Sequence, residues 1–116
     1  MMTKEQVLIN KVQPILPILV YPEREILPKL QENFDDDTIG LKTELEIHNV
    51  HDMMEEGGLV CEIRTKGLDA KKAETVFLCS ITHFKVKRGE PYYQELEKYR
   101  IKRIKKLAKQ NKNRFY

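Results

Sequence analysis

Apolar residues along this chain change their spacing three times, and each change predicts an element. Thr3-Lys4-Glu5-Gln6 has the form of a capping box, in which the Thr3 hydroxyl accepts from the Gln6 amide and the Gln6 side chain reaches back. Val7, Leu8 and Val12 follow at helical spacing and predict a short first helix. Pro14 and Pro17 stop it, because proline lacks an N–H and forces its predecessor out of helical geometry. Ile15 to Tyr21 is apolar and partly β-branched, so it reads as extended, and Pro17 assigns it to a sheet edge. Pro22 suits the first turn of a second helix, with Glu23 and Glu25 at its positive end and Leu27, Leu30 and Phe34 as its stripe. Pro28 either kinks that helix or delays its start.

The period then drops to two. Leu41, Thr43, Leu45 and Ile47 alternate with charged residues and His48, which predicts a half-buried strand. Glu55-Glu56-Gly57-Gly58 reads as a turn, and Leu59 to Thr65 alternates again. A third strand is expected from about residue 74 to residue 86, apolar on both faces and therefore interior, with Ile15–Tyr21 beside it or helices over it. If this hairpin turns about Ala70, Cys61 faces Cys79 and Ile63 faces Phe77. Pairing Ile47 with Ile63 in the preceding hairpin puts His51 on the cysteine face. After Gly89, Pro91 opens a final helix on which Leu96, Arg100, Ile104 and Leu107 share a face, with Tyr93 and Ile101 at its margins. The expected fold is α+β: a single domain over residues 1–116, with an N-terminal helical region (1–34), a small antiparallel sheet of three to four strands (the meander 41–88) and a C-terminal basic helix (91–112).

Charge changes this picture more than composition does. The chain's 116 residues are 41% hydrophobic and 34% charged, as in an ordinary small globular domain with a well-charged surface. The net charge is +3, yet nine Lys and Arg lie from Lys98 onward and no Asp or Glu follows Glu97. Residues 1–97 therefore hold twelve basic against eighteen acidic side chains, a net −6. The start, MMTKEQVLINKVQ, lacks the basic-then-apolar form of a signal peptide, and Ile15–Tyr21 is too short to cross a bilayer. With two cysteines, the expectation is a cytoplasmic protein without a membrane partner.

Lysines clustered on one helix neutralise phosphates and release counterions, which is the source of sequence-independent nucleic-acid affinity. The candidate phosphate contacts are Lys98, Lys102, Arg103, Lys105, Lys106 and Lys109, with Tyr99 as a base-stacking ring. The competing reading is a solvated face, or a tail that neutralises the chain's own acidic body. The order helix, three strands, helix resembles the double-stranded-RNA-binding domain in outline. In that family the second helix opens with a Lys-Lys-x-Ala-Lys clamp, whereas here Lys105-Lys106-Leu107-Ala108-Lys109 lies near the far end, so the chain is not assigned to it.

Residues 34–46, FDDDTIGLKTELE, resemble an EF-hand calcium loop: Asp35 and Asp37 stand at its first and third ligand positions, Gly40 at its sixth and Glu46 at its twelfth. Ile39 occupies the place of an oxygen ligand, Lys42 that of an apolar residue, and no second loop is present. A helix end followed by a turn explains the same residues. His48, His51, Asp52, His83, Cys61 and Cys79 invite a zinc reading, but His83 lies four residues beyond Cys79, about 13 Å along a strand. No phosphate loop, nucleophile elbow or His-Glu-x-x-His occurs, and no cofactor, metal or catalytic residue is expected. The function expected is a non-enzymatic module that engages an anionic partner, RNA or DNA first, through its basic helix. An acidic protein surface, or a second copy of the chain, is the alternative partner. A metal sensor or enzyme built on Asp35, Asp37 and Glu46 comes last.

Overall fold

The computed structural model describes residues 2–53, 58–66 and 76–114, with side chains through Lys109. Among these residues the chain runs α1 (Lys4–Val12), β1 (Ile18–Pro22), α2 (Leu27–Phe34), β2 (Leu45–Asp52), β3 (Leu59–Thr65), β4 (Phe77–Ser80), β5 (Phe84–Val86) and α3 (Tyr93–Arg114). The class is α+β, with five strands rather than three to four. The expected turn at Glu55-Glu56-Gly57 and the expected hairpin bend about Ala70 lie outside the described residues.

The N-terminal signals act as their chemistry dictates. Thr3 Oγ1 accepts from the Gln6 amide at 3.1 Å, and the Thr3 amide donates to Gln6 Oε1 at 3.1 Å. Leu8 and Val12 are the buried positions of α1. Pro14 then tightens the chain into a 3-10 turn, Gln13–Ile15. Pro28 delays α2, which a 3-10 turn at Arg24–Ile26 precedes, and Leu30 and Phe34 are buried below it. Asp35 ends α2 in the left-handed conformation, with φ 50°.

The sheet order is β4-β3-β2-β1-β5, with every pair antiparallel. The Ile15–Tyr21 segment does pair beside the end of the expected third strand, but β1 is interior, between β2 and β5. Pro17 precedes the strand and Pro22 ends it, so neither removes a donor from its middle. The long third strand breaks in two at a 3-10 turn, Ile81–His83, where the Ser80 side chain accepts from the Thr82 amide at 3.3 Å. Its halves occupy opposite edges of the sheet.

That break sets the shape of the molecule. Laid flat, the outer strands of a five-stranded sheet stand about 19 Å apart. A three-residue turn at about 2 Å per residue cannot span this distance, so the sheet curls until β4 and β5 come near each other. Its concave face collects Ile18, Val20, Leu45, Ile47, Val50, Leu59, Cys61, Ile63, Phe84 and Val86, all buried. Helix residues Leu8, Val12, Leu30, Phe34 and Leu96 complete the same core. Leu78, on the outer face of β4, is 61% exposed, so the expected second apolar face is not continuous.

Register follows the expectation in one place and departs from it in another. Ile47 pairs with Ile63, Ile63 with Phe77, and Cys61 with Cys79. A bulge at His48 then adds one residue to β2, so Val50 faces Cys61 and is buried, while His51 faces Val60 and is exposed. His51 does not join the cysteine face for that reason. β2 also starts at Leu45; Leu41, 46% exposed, belongs to the preceding turn, which Thr43 closes through its amide to Gly40 O at 3.0 Å.

Candidate nucleic-acid interface

Helix α3 begins where the backbone reverses after β5, with Gly89 at φ 96° and Tyr92 at φ 62°. Its first turn is tied by the Leu96 amide to Tyr92 O at 2.9 Å. Leu96, Tyr99 and Arg100 are buried, whereas Ile101 and Ile104 are 44% and 39% exposed. The docking face is therefore Leu96-Tyr99-Arg100, not the expected line through Ile104. No residue of α3 from Ile104 to Lys109 is fully buried, so the helix is seated mainly by its first turns.

Two polar clusters fix this docking. Arg100 Nε donates to Glu97 Oε2 at 2.8 Å and Nη2 donates to Glu97 Oε1 at 3.1 Å, while Nη1 lies 3.7 Å from Glu23. Glu97 Oε2 also accepts from the Val86 amide at 3.3 Å, so the pair ties α3 to β5. On the other side, the Tyr99 hydroxyl accepts from the Leu59 amide at 3.2 Å and is hydrogen-bonded to the Glu5 carboxylate. Burial, and then Glu5, push the Tyr99 phenol well above its ordinary value. Gly58, at φ 60°, passes so close that a Cβ there would stand 2.6 Å from Tyr99 Oη and 3.2 Å from Arg103 Nε.

These contacts sort the seven residues expected at the interface. Tyr99 is 9% exposed and its ring is packed in the core, which leaves no face on which a base could stack. Arg103 is partly buried and leans on the Gly58 turn. Lys98, Lys102, Lys105, Lys106 and Lys109 are exposed, and among the described residues none of them is in an ion pair. The two carboxylates nearest in sequence are engaged elsewhere: Glu95 holds Lys11 at 2.8 Å, and Glu97 holds Arg100.

At 100° per residue, Lys98, Lys102, Lys105 and Lys109 fall within about 60° of one another, and Lys106 stands beside them. They form one row about 16 Å long on the exposed side of α3. Tyr99 is internal, and Tyr92 lies under the Lys11 ammonium, 6.0 Å from its ring centre. The row is thus a set of point charges suited to phosphate oxygens.

The other candidate constellations do not assemble. Asp35 is a helix cap, the Asp36 carboxylate is turned to Thr38 (its amide at 2.9 Å), and Glu46 sits in β2 against His48 at 3.0 Å. The Asp35, Asp37 and Glu46 positions of the calcium reading are thereby dispersed over a helix end, a turn and a strand. His51 is paired with Glu62 at 3.1 Å and His83 with Glu25 at 3.2 Å. No group of three metal-ligating side chains occurs among the described residues. Burial raises both thiols, Cys79 to about 11 and Cys61 further still. No described helix is long and apolar enough to cross a membrane.

No known protein-family model matches this chain, and no curated protein or solved structure matches it either.

Proposed function

We propose that this protein binds the phosphate backbone of nucleic acid through the lysine row of α3. The observation that supports this reading is the set of five exposed ammonium groups, unmatched by any described carboxylate, on a helix that projects from an otherwise acidic body. Such a row neutralises phosphates and releases their counterions, so affinity is dominated by charge and carries little base preference. Lys98, Lys102, Lys105 and Lys109 are the principal phosphate contacts, and Lys106 is an auxiliary one. Tyr99 and Arg103 position the helix and do not touch the ligand.

The test is fluorescence anisotropy of a labelled mixed-sequence duplex. With about four phosphates contacted, affinity falls by roughly 10²-fold between 50 and 200 mM salt. Flat salt dependence, or no binding at 50 mM, overturns the reading.

A second reading is favoured by Ile101 and Ile104, both exposed beside the lysines. An acidic protein surface, or another copy of the chain, would cover them as well as meet the charge. A complex that survives nuclease treatment, or a mass above one chain by light scattering, distinguishes this case.

A further inference from the structure

Between α1 and the first half of α3 runs an open groove of about 550 Å³. Its floor is apolar, made by Met2, Val7, Leu8 and Tyr99, and its rim carries Lys4, Lys98, Lys102, Arg103 and Lys106. The two carboxylates along it, Glu5 and Glu95, are engaged by the Tyr99 hydroxyl and by Lys11. What remains is a slot with an apolar base and a net positive edge. Its volume lies within the range of small-molecule sites, roughly 300–1,000 Å³.

We infer that this groove is a binding site for a small anionic amphiphile, such as a carboxylate with an apolar body. The apolar body lies across Val7 and Leu8, where it removes hydrocarbon surface from water. The carboxylate sits at the rim between Lys102 and Lys106, with Lys4 opposite, and makes charge-assisted hydrogen bonds to ammonium groups that no described carboxylate holds. The site shares Lys98, Lys102 and Lys106 with the nucleic-acid reading but also requires the apolar floor, whereas Lys105 and Lys109 do not line the groove.

The probe is 1-anilinonaphthalene-8-sulfonate, whose emission rises on entering an apolar site, titrated into the intact protein. One saturable site per chain is expected, displaced by octanoate. N-phenyl-1-naphthylamine, which lacks the sulfonate, binds about tenfold more weakly, because the charge-assisted contacts are lost. Val7→Gln, which removes floor without adding charge, and the pair Lys102→Gln/Lys106→Gln each weaken the sulfonate by about tenfold. Lys105→Gln/Lys109→Gln leaves it unchanged while weakening duplex binding, so the two proposals fail separately. Thermal melts of each variant check that the fold is kept. Non-saturable emission, equal affinity for the neutral probe, or indifference to Val7→Gln overturns the site. Displacement by a capped acidic peptide but not by octanoate makes the groove a protein-docking surface and overturns it too.

Discussion

Gly58 is the residue on which the seating of α3 presses hardest. Its φ of 60° is one that L side chains adopt at a cost of about 1–2 kcal/mol, and an added methyl meets the Tyr99 hydroxyl at 2.6 Å. Gly58→Ala is expected to lower unfolding free energy by about 2–3 kcal/mol in urea titrations, since strain and clash add. Tyr99→Phe removes the clashing oxygen, so the double variant loses less than the two single losses together; strict additivity contradicts this contact. The cysteines give a second residue-scale test. With its thiol raised to about 11 by burial, Cys79 is about 10⁻³ thiolate at pH 8, against roughly a quarter for an ordinary thiol of pKa 8.5. Iodoacetamide therefore modifies the native protein about a hundredfold more slowly than the urea-unfolded chain, and equal rates contradict the burial. The Cys61–Cys79 pairing was legible in the sequence, because counting about one turn fixes register when both strands are regular. The position of His51 was not, because a single bulged residue at His48 reverses the side of everything after it, and no residue type announces a bulge.

At the scale of elements, α3 has two halves with different work. The first half is held by Leu96, Tyr99 and the Arg100–Glu97 pair, and the second half presents charge. Truncating Arg100 leaves the half-buried Glu97 with only the Val86 amide, so Arg100→Ala costs about 2–3 kcal/mol. Lys105→Ala, on the exposed row, changes stability by less than about 0.5 kcal/mol. Equal effects by chemical denaturation contradict the division of the helix. The sequence pattern places Arg100 on the docking face, but it groups Ile104 with Arg100 and leaves Tyr99 off that stripe. Helical periodicity shows which residues share a stripe; it cannot show where along its length a helix departs from the body. The same limit explains the third strand. Phe77 to Val86 has uninterrupted β character, and only Ser80, whose side chain holds the Thr82 amide, hints at the turn that sends the two halves to opposite edges.

Over the whole molecule, charge is segregated: residues 1–97 carry −6 and the remainder +9. The acidic body uses many of its carboxylates internally. Glu44 joins Lys66 and Lys87 at the ends of β3 and β5, Glu95 holds Lys11, and Glu97 holds Arg100. None of these contacts reaches the outer lysines of α3. The row is exposed and outside every ion pair among the described residues, and the proposed steering toward an anionic ligand draws on that charge. Fold class and the C-terminal basic helix follow from the pattern of residues. The curl of the sheet and the groove beside α1 arise from long-range packing and become visible only in three dimensions.

The most direct test compares the slope of log affinity against log salt for wild type and Lys105→Gln/Lys109→Gln on the same duplex. The account predicts a slope near −3.6 for about four phosphates contacted, reduced in magnitude by about 1.8 in the variant. A slope near zero, or one that the two substitutions leave unchanged, would contradict it.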